Sequence, residues 1–186
     1  MNTHTSDTTT DAPLVSAHGL TKHYEGFSLE GVDLDVREGE VVGFVGKNGA
    51  GKSTTIKALL GLIATDGGTS SVLGTPSELL SRPEGAHAKE RVGVVFDTVS
   101  LPGHLRVRDV GTIYARAYDR WDAHRFSRLI DTFDLPAEKC VKDLSRGMGM
   151  KLSLACALAH DPQVLILDEA TAGLDPMARD EALDRL

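Results

Sequence analysis

Val41-Val42-Gly43-Phe44-Val45-Gly46-Lys47-Asn48-Gly49-Ala50-Gly51-Lys52-Ser53-Thr54 runs from an apolar pentapeptide into a glycine-rich loop that meets the pattern GxxxxGK[ST] at every required position. The pentapeptide reads as a short buried strand, and Ile56-Lys57-Ala58-Leu59-Leu60 reads as the start of a helix. Strand, glycine loop and helix is the context in which this pattern forms a phosphate site. Glycines let backbone N–H groups turn inward around phosphate oxygens, and the helix N-terminus adds partial positive charge. Gly46, Asn48, Gly49, Ala50, Gly51, Lys52, Ser53 and Thr54 are therefore the candidate nucleotide contacts. Lys52 is placed to reach the β- and γ-phosphates, and the Ser53 hydroxyl to join a Mg²⁺ shell. The implied ligand is a nucleoside triphosphate with Mg²⁺.

The rest of the chain supplies a frame for such a site. Its 186 residues suffice for one domain core with a small subdomain. The net charge of −7 argues against a nucleic-acid partner, which normally meets a basic surface. No apolar run approaches the ~20 residues of a membrane span, and the polar, Thr-rich start lacks a secretory signal. Residues 1–12 read as a disordered tail. Cys140 and Cys156 lack zinc-like spacing; Cys156 reads as a small buried thiol, and a reducing cytosol fits.

Period-two alternation at 14–17 and 27–36 predicts half-exposed strands. Asp66-Gly67-Gly68-Thr69 reads as a turn and residues 70–74 as a short strand. Val92-Gly93-Val94-Val95-Phe96 predicts a core strand. From about 104 to 140 the pattern is helical, with Val107, Val110, Ile113 and Tyr114 on one face, then Leu129, Ile130 and Phe133 before Pro136. Trp121 reads as a packing anchor within it. Residues 151–159 predict a third helix. Val164-Leu165-Ile166-Leu167 predicts a parallel strand covered on both faces. Alternating strands and helices give an α/β core with a helical insertion.

Two further elements belong to the same chemistry. The strand at 164–167 delivers Asp168 and Glu169 at its C-terminal end, where ligands gather in open α/β sheets. Asp168 is the candidate Mg²⁺ ligand and Glu169 the candidate general base for an attacking water. Leu144-Ser145-Arg146-Gly147-Met148 opens a helix, with Ser145 as its N-cap and Gly147 leaving the amides open to an anion.

In this order, GKNGAGKST at 46–54, LSRGM at 144–148, VLILDE at 164–169 and AGLD at 172–175, the chain resembles the ATP-binding subunit of an ABC transporter, over residues 14–186. The stretches Tyr118-Asp119-Arg120-Trp121-Asp122 and 147–154 look most like the ABC-2 export type, several of which serve small-molecule or peptide-antibiotic efflux in bacteria. The resemblance implies a P-loop NTPase core with an N-terminal β subdomain. It places an ABC ATPase domain over 13–186, with a helical subdomain at about 97–145. It implies ATP and Mg²⁺ as ligands, a second ABC ATPase subunit as partner, and a transmembrane permease subunit, on the inner face of the cell membrane. By that resemblance Ser145 and Gly147 contact the γ-phosphate held by the other subunit, Asp175 lies in a loop crossing the interface, and Tyr24 stacks on adenine.

The chain departs from the family at several positions. Asp97 stands where the family has glutamine; it is the candidate sensor of Mg²⁺ and attacking water, as catalytic residue and metal ligand. Arg146, Met148 and Ala170 replace commoner glycine, glutamine and proline. The family's γ-phosphate histidine lies on a strand beyond the Asp175 loop, and none of the seven histidines here fills that role by position. Because Leu186 falls within the helix begun at Asp175-Pro176, the expectation is a fragment of a longer protein or a degenerate gene product, its core incomplete. The leading expectation is thus an ATPase subunit that powers an exporter through ATP-driven dimer closure. Alternatives are an ATP-binding module with little turnover and a soluble non-transport ABC ATPase.

Overall fold

A computed structural model describes residues 12–98 and 100–168. Glu169, Asp175 and all but the last residue of the expected N-terminal tail lie outside those described residues. The chain divides into two units, one up to Pro83 and one from Glu84, each taken by itself below.

The first unit is built on a hairpin. Strands β1 (Val15–Tyr24) and β2 (Phe27–Val36) pair antiparallel around the two-residue turn Glu25-Gly26. Strands β3 (Gly67–Val72) and β4 (Thr75–Pro76) complete an antiparallel sheet of order β2-β1-β3-β4. Helix α1 (Lys52–Leu59) buries Thr55, Ile56, Ala58 and Leu59, and its neighbours are β1, β2 and β3. Val15, Ala17, Leu20, Leu29 and Val72 supply the buried side of the sheet. The short helix α2 (Ser77–Leu80) adds Leu80 to this core.

Two sequence expectations fail in this unit. The turn assigned to residues 66–69 belongs to β3 from Gly67 onward, because Gly67 pairs with Thr21 and Thr69 with His18 across from β1. The strand then ends at Val72, since Leu73 adopts a left-handed φ of 51°. Asp66, just before β3, accepts hydrogen bonds from the His23 backbone N–H at 2.7 Å and from Lys22 Nζ at 3.1 Å. Those bonds, the His23 one foremost, hold its carboxyl below the usual carboxylate range.

The second correction concerns residues 41–45. They form no strand, and Val41 and Val45 are 77% and 99% exposed. A strand is held by ladder hydrogen bonds to a neighbour. Among the described residues no strand pairs with 41–45, so the apolar run has neither ladder nor cover.

The second unit carries helix α3 (Ala86–Lys89), then a parallel pair, β5 (Val92–Val95) and β6 (Val164–Leu167), in register from Val92↔Val164 to Val95↔Leu167. Between these strands lie α4 (Val107–Ala117), α5 (Ala123–Thr132) and α6 (Arg146–Leu158). The amphipathic reading of α4 and α5 matches their buried faces: Val107 and Val110 on one, Phe126, Leu129 and Ile130 on the other. Ile113, expected on the buried side, is 43% exposed. In β6 only Val164 is buried, and the next three residues are half-buried rather than covered on both faces. Leu152, Leu154 and Ala155 of α6 sit in the core shared with α4, α5 and Val95.

An aromatic run packs the helices. Trp121 lies 5.3 Å from Tyr114 and 5.2 Å from Phe126, ring centre to ring centre. Gly111 permits this approach, because a Cβ there would stand 2.9 Å from Phe126 Cδ1. A side chain at that point costs about 1–3 kcal/mol of overpacking. Cys156 is buried as expected, and burial pushes its thiol up to about 12, which leaves it unreactive near neutral pH.

His160 is buried where β5 begins. Its ring stacks on Tyr118 at 4.4 Å, and Nε2 donates to the Val92 carbonyl at 3.3 Å. Burial holds its pKa below the ordinary 6.5; hydrogen bonds and Glu90 oppose that, while Arg120 adds to it. A group that is neutral when folded and charged when unfolded contributes stability above the unfolded pKa of about 6.5, lost as pH falls through the lower folded value. The melting temperature should therefore drop on going from about pH 7.5 to about pH 5 by more in the native chain than in His160→Gln. Thermal melts of both proteins check this; equal drops would show that His160 does not titrate with folding.

Candidate nucleotide-binding site

The loop at 46–51 is shaped by two left-handed glycines, Gly49 at φ 82° and Gly51 at φ 94°. L-residues seldom adopt that conformation, so the pattern needs glycine there. Ala50 N–H closes a turn onto the Lys47 carbonyl at 3.1 Å. Gly51 then stands at the N-cap of α1, and no side chain caps the helix and no acidic residue lies in its first turn. A helix start without a side-chain acceptor directs its N–H dipoles at an external anion. Thr55 secures the first turn, its Oγ1 donating to Gly51 O at 3.0 Å. Lys52 Nζ donates to the carbonyls of Gly46 at 2.9 Å and Lys47 at 3.1 Å. The ammonium is thus held at the mouth of the loop by acceptors that a phosphate can replace.

Gly51 itself is buried against β2. A Cβ on it would meet Leu29 Cδ1 at 2.8 Å and Phe27 Cζ at 3.0 Å. Tyr24 closes the hairpin beside them, 46% exposed, with Lys22 Nζ 5.5 Å from its ring centre. The structure thus gathers Tyr24, Gly46, Asn48, Gly49, Ala50, Gly51, Lys52, Ser53 and Thr54 within the first unit. Sequence reasoning did not single out Phe27 and Leu29. Their only signal is the alternation of β2, which marks a strand face without saying what rests on it.

In the second unit the parallel pairing of β5 and β6 sends both C-termini the same way. Asp97 and Asp168 therefore sit at the same end of the pair. Asp168 extends the ladder, its N–H donating to Val95 O at 2.8 Å, and is only 3% exposed. Asp97 is exposed. A carboxylate at a strand end is a hard oxygen donor of the kind Mg²⁺ takes, as is a serine hydroxyl at the start of a helix. No group of three or more His, Cys, Asp or Glu able to hold a metal occurs among the described residues.

Ser145 caps α6 as the sequence suggests, Oγ accepting from Met148 N–H at 3.2 Å. A hydroxyl that accepts in this way still has its own O–H to donate, so the cap leaves the hydroxyl able to bind a phosphate oxygen. Ser145 is exposed and Gly147 half-buried at this helix start.

These features agree with what is known of similar proteins. Residues 29–172 match the family described as ABC transporter. A Nod factor export ATP-binding protein of Burkholderia pseudomallei is 40% identical over 164 residues, covering 85% of this chain and 52% of that protein. The chain spans about half the length of the curated relatives of this kind. A solved ATP-binding subunit of an ABC transporter is 31% identical, with a TM-score of 0.80 over 92% of this chain and 72% of its own. A dimeric cassette in a post-hydrolysis state with ADP and Pi shares the fold at 22% identity, with a TM-score of 0.78 over 92% of this chain and 80% of its own. With the phosphate loop, the capped Ser-x-Gly helix and the acidic strand end in family order, this chain belongs to the ABC transporter family, with its mixed α/β ATP-binding fold.

Proposed function

We propose that the chain binds ATP with Mg²⁺ and serves as the ATP-hydrolysing subunit of a membrane exporter. The observation that carries the binding step is the uncapped start of α1 behind the left-handed Gly51. On this reading the loop amides and Lys52 hold the β- and γ-phosphates and Tyr24 carries the adenine. Ser53 and Asp168 hold Mg²⁺, which when bound offsets phosphate charge. Glu169 takes the proton from the attacking water, and Asp97 orients that water or touches the metal. Ser145, Gly147 and Asp175 act toward a second ATPase subunit, in keeping with the dimeric form of the post-hydrolysis cassette.

Export is supported by the Nod factor export proteins among the relatives. The partner that converts closure into transport is then a transmembrane permease, docking on the helical subdomain at about 97–145, with the ATPase on the inner face of the membrane. No helix among the described residues is long and apolar enough to cross a membrane. The second reading is ATP binding with little turnover.

Substitution separates the steps. Lys52→Ala should weaken MgATP binding by at least about a hundredfold, since charge-assisted bonds contribute about 1.5–3 kcal/mol each and Lys52 makes more than one. Glu169→Gln should keep MgATP affinity within about twofold and lower steady-state turnover by 10²–10⁴-fold, the range for a lost general base. Binding by calorimetry and phosphate release by a coupled assay check both. Binding in the native chain with no turnover at all selects the second reading. Asp97→Gln should shift the Mg²⁺ concentration that supports half-maximal turnover; an unchanged Mg²⁺ dependence and rate would remove Asp97 from the site.

A further inference from the structure

One aromatic ring touches both ends of the proposed nucleotide site. Phe27 pairs with Tyr24 across the hairpin turn, their ring centres 6.3 Å apart and their planes 26° from parallel. The far end of the same ring, Cζ, lies 3.0 Å from the point where a Cβ would stand on Gly51. Leu29, two residues along the same face of β2, fills the other side of that point at 2.8 Å. Gly51 is buried by this contact, whereas residues 41–50 before it are exposed.

The floor under the left-handed glycine is therefore β2, and the end of that floor is also the neighbour of Tyr24. The hairpin is fixed on its other side as well. Lys22 and the His23 backbone are tied to Asp66, and His23 Nδ1 lies 3.1 Å from Ser28 Oγ. A hairpin tip tied to Asp66 through β1 and bridged across its own strands offers little play, so a displacement of the Phe27 ring is felt at Tyr24 and at Gly51 together.

We propose that Phe27 is a positioning residue that sets the separation between the base platform at Tyr24 and the phosphate cradle at Gly51, so that adenine stacking and triphosphate binding reinforce each other. This rests on the ATP reading given above. Phe27 touches neither phosphate nor metal in this role; it acts through the two residues on either side of it.

Two substitutions report on the two ends of the ring. Phe27→Leu keeps an apolar side chain beneath Gly51 and removes the stack on Tyr24. Phe27→Tyr keeps the stack and adds an oxygen to Cζ, the atom nearest Gly51. The experiment measures dissociation constants of the chain for MgATP and for Mg-tripolyphosphate, in both variants, in Tyr24→Ala and in the Tyr24→Ala/Phe27→Leu double variant. Phe27→Leu should weaken MgATP binding about three- to tenfold, as expected for the loss of an aromatic pair, and leave tripolyphosphate within about twofold. That loss should shrink to within about twofold in the Tyr24→Ala background, because contacting residues are non-additive. Phe27→Tyr should weaken both ligands. A merely structural role would lower both ligands equally in Phe27→Leu, or add independently to Tyr24→Ala, and either result overturns the proposal. Unchanged tripolyphosphate binding in Phe27→Tyr overturns it too. Failure of the native chain to bind either ligand would instead sink the ATP reading, and this proposal with it.

Discussion

A backbone that must turn left-handed at Gly51, with φ 94°, sets what the nucleotide end of this chain can be. The turn delivers the chain into α1 with no side-chain cap, which is what the proposed phosphate site asks of that helix start. It also brings the glycine hard against Leu29 and Phe27, where no side chain fits. Any other residue at 51 meets both the conformational penalty and the clash. The β2 strand of the hairpin is the floor on which Gly51 rests. The same hairpin carries Tyr24, so the proposed base and phosphate contacts would share one support.

The second unit applies a different constraint to the same chemistry. Parallel strands end at the same side, so pairing β5 with β6 brings Asp97 and Asp168 to one edge. The helices between the strands are held by packing of large groups, with Phe126 and Trp121 pressed close over Gly111. Cys156 and His160 belong to this packed layer. Burial raises the pKa of the thiol and lowers that of the imidazole, and in each case it favours the uncharged form.

Much of this was legible in the residues because the signals are local. GKNGAGKST needs only its own glycines to declare a phosphate loop, and Ser145 needs only the Met148 N–H three residues on to act as a cap. The amphipathic faces of α4 and α5 follow from side-chain period alone. What failed to read depends on partners far along the chain. Residues 41–45 have strand composition, but composition cannot furnish a neighbouring strand. Gly67 and Gly68 look like a turn until β1 is seen to pair with them. Phe27 is one more apolar residue in an alternating strand until Gly51, twenty-four positions later, settles against it. Asp97 was legible only as a departure from a family pattern; the structure adds that it shares a strand-pair edge with Asp168.

If the amides around Gly51 bind the phosphates of a nucleotide, their exchange with solvent must slow when the nucleotide is bound. Residue-resolved amide hydrogen exchange, with and without saturating MgATP, tests it most directly. The account predicts new protection at Gly49, Ala50, Gly51, Lys52, Ser53 and Thr54, reproduced in part by Mg-tripolyphosphate, which has no base to stack. Protection that leaves these amides unchanged would contradict it, however tightly the nucleotide bound elsewhere.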